Sequence, residues 1–401
     1  MECRNIFKKK IRMFVYSIGF YILLLPFDCF RVGSIGSLLK VYSIVPVLFL
    51  VFSCKNKKIK YNKLFFLMIL YLIFTLLSCI YSIDIEESFY AFFSLGLNII
   101  FVIVLGSLSN YTDYEKKFLL KCFIASSWVM FFCFFIFGDK NSLSGRLTLS
   151  FREGSSQDAN YVNGYILFAF SYHISRLINK KVFHILPVSL LLIFVVLTGS
   201  RGAMLAFVSC IFFAIVLAIH KSRYKFKIIL VSIVLIFLFI VFFSLGIEYI
   251  SPELAMRFSG EYISEHGTTG RMDIWMNLLQ KFIEANFFRE IMGWGYGTTR
   301  LLNTTVGIST AGLVAHNLYI DNLISIGVIG LLLQILMQIE CMKILLKSKN
   351  EMLICSFGAF MIMCLSLSLV NYKPIWGVML MALILKNNRN GRYIKNKLQK
   401  I

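Results

Sequence analysis

Residues 315–330 read AHNLYIDNLISIGVIG and continue into LLLQILM, so an apolar segment long enough to cross a bilayer opens on His316, Asn317, Tyr319, Asp321 and Asn322. Polar and ionisable groups at the edge of a hydrocarbon core are costly, and they are kept there for chemistry or for pairing. The stretch therefore predicts a fold built of membrane helices, one of which carries a polar head.

Composition extends that reading to the whole chain. The 401 residues are 58% hydrophobic and 16% aromatic, which leaves too little polar surface to cover a water-soluble globule. The net charge of +21 would suggest nucleic acid in a soluble protein. Here Lys and Arg fall in short clusters between apolar runs, the pattern that orients membrane helices, and nucleic acid is not an expected partner. The first apolar run follows KKKIR and leads to a second with no A-x-A-like cleavage site, so it is expected to stay in the protein. The cysteines form no CxxC pair and no zinc-spaced cluster with histidine, which argues against a structural disulfide or metal site.

Twelve runs reach the ~17–25 residues that a ~30 Å core requires: 12–29, 36–53, 64–82, 88–107, 118–138, 160–178, 182–199, 203–220, 227–247, 314–336, 351–369 and 373–387. Alternate connections are basic: KNKKIKYNK, YEKK, NKK, KSRYKFK, KILLKSK and the tail KNNRNGRYIKNK join the basic N-terminus on one face. The others hold Asp84, Glu86, Glu87, Asp139, Glu153, Asp158, Glu253, Glu261 and Glu265. Basic loops face the cytoplasm, so the fold class is an all-α polytopic membrane protein of about 12 transmembrane helices, a single domain over 1–401, with both termini inside. Two outward loops exceed tight turns. The first spans 139–159; the second, 248–313 between helices 9 and 10, is long enough for a small helical cap. Within it Met272, Trp275, Leu278, Leu279 and Phe282 recur at helical spacing, which fits either a helix lying in the membrane interface or one packed on the protein.

Candidate chemistry gathers on the outer side. Arg201, in LTGSRGAML, is either a span-ending snorkelling residue or a bidentate phosphate ligand. Arg271 follows EHGTTG and opens the cap helix, where a solvated loop charge and an anion site at a helix start are the competing readings. His316 is the strongest general-base candidate, because a near-neutral imidazole can take the proton of an attacking hydroxyl. His173, His184 and His220 belong to spans or their inner ends, and His266 to a loop. Asn317 and Tyr319 flank the base as candidate substrate-binding groups, and Arg146, Arg152, Asp158 and Asn160 offer more in the first outer loop. For Asp158 and Asn160, capping of the sixth span competes with sugar binding. Gly327 and Gly330 read first as packing positions. GWGYG at 293–297 reads as turns rather than a nucleotide loop, since it follows no parallel strand and lies on the wrong side for ATP.

His316-Asn317, nine residues, then Gly327-x-x-Gly330 resembles the signature of the superfamily of O-antigen ligases and Wzy-type O-antigen or capsular polysaccharide polymerases. TGSRG at 198–202 is similar to that family's Ser-Arg element, GRMDIW at 270–275 to its loop arginine element and DANYVNG at 158–164 to its Asp-x-Asn segment. The resemblance covers roughly 140–335 in the family's order. It implies a metal-independent, cofactor-free glycosyltransferase in the bacterial cytoplasmic (inner) membrane, using an undecaprenyl-pyrophosphate-linked oligosaccharide at the outer face. A chain-length regulator and a flippase of the same pathway would be partners. On this reading Arg201 and Arg271 hold the donor pyrophosphate and His316 activates the acceptor hydroxyl. Polymerase, which transfers glycan to another lipid-linked repeat unit, is favoured over O-antigen ligase, which transfers it to lipid A-core. The reading from a different class is a flippase for lipid-linked sugars; it suits the span count but not the gathering of charge at the outer face.

Overall fold

The computed structural model describes residues 11–29, 31–32, 36–53, 59–108, 110–140, 147–150, 156–157, 159–179, 181–223, 270–303 and 314–398, with scattered positions between 225 and 259. Its helices are α1 (Met13–Leu23), α2 (Leu38–Tyr42), α3 (Ile44–Ser53), α4 (Lys63–Ile80), α5 (Ile85–Ser107), α6 (Asp113–Phe137), α7 (Ala159–Ile178), α8 (Ile185–Leu197) and α9 (Arg201–Lys221). There follow α10 (Arg271–Ile283), α11 (Phe287–Met292), α12 (Thr299–Leu302), α13 (Leu318–Ser348), α14 (Glu351–Met363) and α15 (Lys373–Leu398).

Polar residues between the apolar runs become helix caps. Asn62 accepts from Phe65 N–H at 3.0 Å, Asp84 from Glu87 N–H at 2.9 Å and Asn350 from Leu353 N–H at 3.1 Å, while Thr112 and Glu115 form a reciprocal capping box. Each satisfies an amide that the first helical turn leaves without a partner. Among the described residues five helices are long and apolar enough to cross a membrane, α4, α5, α6, α9 and α13, and shorter apolar helices accompany them. The fold is thus a helical one compatible with many spans.

Several predicted spans are modified. The first stops at Leu23 and passes into a 3-10 turn, Leu25–Cys29, because Pro26 has no N–H with which to continue the helical ladder. The eleventh ends at Met363 rather than near 369, and the run 227–247 lies almost wholly outside the described residues. The chain is also not purely helical. An antiparallel pair joins β1 (Arg31–Val32) to β2 (Gly36–Ser37), and β3 (Gly138–Lys140), β4 (Leu147–Ser150) and β5 (Ser156–Gln157) form a three-stranded sheet in the first outer loop.

One continuous apolar core runs through the bundle, with α9 against α14 and α7, α6 against α7 and α1, α13 against α4, and α15 against α5. A second, smaller core joins α10 to the front of α13, where Ile274 and Leu278 pack with Ala315 and Ile324. The cap helix is therefore a packed element. Ion pairs join segments that the charge pattern assigns to the same face: Arg12–Glu115, Lys221–Glu351 and Lys386–Glu340 on the basic face, Arg300–Glu87 and Lys373–Asp28 on the other.

Candidate functional site

The turn between α14 and α15, residues 364–372, is where the separated motifs meet. Leu318 N–H, at the start of α13, donates to Cys364 O at 2.8 Å. Arg271 Nη1, from the first residue of α10, donates to Ser366 O at 3.0 Å. Beside Arg201, a Cβ placed on Gly202 would lie only 2.8 Å from Ser366 Oγ, so α9 starts against the same residue. From α7, Tyr161 OH donates to Ser368 O at 3.3 Å, and Tyr372 OH returns a bond to Tyr161 O at 2.7 Å. Four helices thus begin around one turn, and each presents the positive end of its dipole there.

The arginines occupy equivalent places, each the first residue of its helix and each half-buried. Ser200 caps α9 through Ala203 N–H at 3.1 Å and donates its hydroxyl to Asn160 Oδ1. Asn163 Nδ2 bonds Thr198 Oγ1 at 2.7 Å. DANYVNG and TGSRG are therefore one assembly, joined by side chains that neither motif identifies alone.

His316 sits two residues ahead of α13 with φ 48°, a left-handed conformation that a non-glycine residue keeps only when its surroundings impose it. Both flanks supply the constraint. Ala315 donates its N–H to Asp321 Oδ1 at 3.2 Å and accepts Trp275 Nε1–H at its carbonyl at 2.7 Å. Asn317 caps α13, its Oδ1 accepting from Tyr319 N–H at 2.9 Å and Ile320 N–H at 3.2 Å. Asp321, a polar residue of the head to which spacing alone assigns no role, makes its contact backwards, across the His316 bend.

The polar head belongs to a short limb and not to a straight span. Backbone angles leave the helical region at Ile326 and Gly327, dividing α13 into Leu318–Ser325 and a longer limb beyond. Tyr319 OH donates to Gln338 Oε1 at 3.2 Å, although a straight helix would separate residues nineteen apart by about 28 Å. The limbs therefore fold back on one another. GWGYG closes the C-terminal end of the short limb: Trp294 N–H donates to Ile324 O at 3.0 Å and Gly295 N–H to Ser325 O at 2.9 Å. Gly327, at φ 66°, admits no side chain, since a Cβ would lie 2.2 Å from Ile291 O at the end of α11. Tyr81 OH donates to Met292 O at 2.7 Å.

Arg201, Arg271, His316, Asn317 and Asn160 are thus gathered around the turn, whereas the Tyr319 hydroxyl is directed to the long limb. Arg146, Arg152 and Asp158 lie outside the described residues. Two guanidinium groups at helix starts suit a polyanion, and an imidazole held on a constrained bend suits proton transfer.

No curated protein matches the chain. The sequence model of the family described as O-antigen ligase matches residues 186–335, which contain Arg201, Arg271, His316, the GWGYG loop and the break in α13. Over residues 186–335, less than half of the chain, the sequence is thus similar to the O-antigen ligase family.

Proposed function

We propose that the protein is a polysaccharide polymerase of the O-antigen or capsule type. It transfers glycan from an undecaprenyl-pyrophosphate carrier to another lipid-linked repeat unit at the outer face of the bacterial inner membrane. The observation that carries this reading is the convergence of the Arg201, Arg271 and His316 segments on residues 364–372.

In this mechanism Arg201 and Arg271, with the starts of α9 and α10, hold the donor pyrophosphate and neutralise charge growing on the leaving oxygen. His316 takes the proton of the acceptor hydroxyl. That oxygen attacks the anomeric carbon, the bond from carbon to pyrophosphate oxygen breaks, and the carrier pyrophosphate leaves, with inversion at the sugar. The pyrophosphate bond supplies the driving force, and no step calls for ATP or a metal.

A second reading is supported by the description of the matching family: ligase, with lipid A-core as acceptor. Purified protein incubated with lipid-linked repeat units distinguishes them, since a ladder of products means polymerase and transfer only after addition of lipid A-core means ligase. His316→Ala and Arg201→Ala proteins, expressed and folded normally, are expected to lose product by at least about 100-fold. Full-length polymer from both variants would end this assignment.

A further inference from the structure

We infer that His173 and His184 form a proton-sensitive latch between α7 and the start of α8. The two rings come from different elements: His173 lies on α7, and His184 ends a 3-10 turn, Val182–His184, that leads directly into α8. Their Nδ1 atoms are 2.7 Å apart, so one ring donates and the other accepts. Aromatic edges hold the rings in place, Trp128 of α6 and Tyr172 of α7 against His173 and Tyr172 also against His184. The bond therefore fastens the inner end of α8 to α7, at the end of the bundle that the basic loops assign to the cytoplasm. From there α8 runs to the TGSRG segment, so the latch anchors the helix that delivers that motif.

One proton fits between the facing nitrogens and two do not. With both imidazoles charged, an N–H would point at an N–H, and the bond would become a repulsion between like charges. A charged His173 would also carry a proton on Nε2, which is buried with no hydrogen-bond partner among the described residues. The neighbouring charges oppose protonation as well. Arg176 and Lys181, which act on His184, are both positive. From α6 come Lys117 and Lys121, both exposed, while Glu115 is taken by Arg12 and Asp113 by Lys116. From α9 come His220, which is exposed, and Lys221, which pairs with Glu351 of α14. The closed latch therefore binds fewer protons than two free histidines, and opening is favoured as pH falls through the ordinary histidine range.

The test is amide hydrogen exchange of the full-length protein in bilayers at pH 7.5 and pH 5.0, each rate divided by its intrinsic rate at that pH. The reporting amides are those of Lys181 and His184, which donate to Arg176 O and Lys181 O at 3.1 Å and hold the connection in shape. If the closed latch excludes one proton that a free histidine of ordinary pKa about 6.5 would take, acidification is expected to reduce protection in wild type about 30-fold. His173→Gln/His184→Gln, whose amides can bond one another but not titrate, is expected to show no acid response. Lys181→Gln, which removes a facing cation and leaves the pair intact, is expected to need a lower pH for the same opening, a shift that misfolding does not produce. Equal protection of wild type at the two pH values, an acid response that survives in the double variant, or no shift with Lys181→Gln would each overturn the proposal.

Discussion

His316 owes its position to bonds made by the backbone beside it. Asp321 receives the Ala315 amide and Trp275 donates to the Ala315 carbonyl, so the residue before His316 is fixed at both of its backbone polar groups. Asp321→Ala would leave a buried amide without its acceptor, a cost of about 1–3 kcal/mol felt mainly at the bend. Product formation is expected to fall about ten-fold, Asp321→Asn, which keeps an acceptor oxygen, is expected to recover most of it, and Asp321→Ala should add nothing in a His316→Ala background. Kinetics of the four proteins on lipid-linked repeat units check this, and additive losses would show that Asp321 acts elsewhere. The histidine is legible in sequence as a candidate, because its residue type and its place before an apolar run both point to chemistry. The aspartate's role is not, because its partner is a backbone amide and any acceptor of the right reach would serve.

Hydropathy cannot see the break in α13, since residues 323–333 are apolar on both sides of it. What breaks the helix is the loop that closes it. Trp294 and Gly295 bond the last carbonyls of the short limb, and Ile291 O occupies the space a side chain at Gly327 would need. Gly327→Ala must both adopt a positive φ and displace backbone, a combined cost of roughly 2–5 kcal/mol. Gly330→Ala meets only the side chain of Ile326 and needs no positive φ, and should cost less. Thermal unfolding in detergent is expected to rank wild type above Gly330→Ala and Gly330→Ala above Gly327→Ala; the reverse order of the variants would mean that the break does not depend on Gly327. The cap helix teaches the same lesson from the other side. Its apolar spacing predicted a helix correctly, but only the partners Ala315 and Ile324 decide that Ile274 and Leu278 face protein.

For the whole molecule, charge carries most of what the sequence discloses. The ion pairs connect segments already assigned to a common face, whereas the approach of residues 364–372 to four helix starts has no counterpart in composition or spacing. One of those pairs bears on the turn. Lys373, the first residue after it, is 4% exposed and pairs with Asp28, which also accepts Ser37 Oγ–H at 2.6 Å. Lys373→Met would strand a largely buried carboxylate and is expected to cost about 3 kcal/mol, while replacing both partners, Asp28→Leu/Lys373→Met, should restore much of that stability because the unpaired charge is gone. If the pair serves only to tie the turn to the end of α1, the double variant should also regain glycan transfer. A stable double variant with no transfer would instead place Lys373 in the chemistry, and a double variant as unstable as the single one would show that the pair's geometry, rather than relief of a buried charge, holds this end of the bundle together.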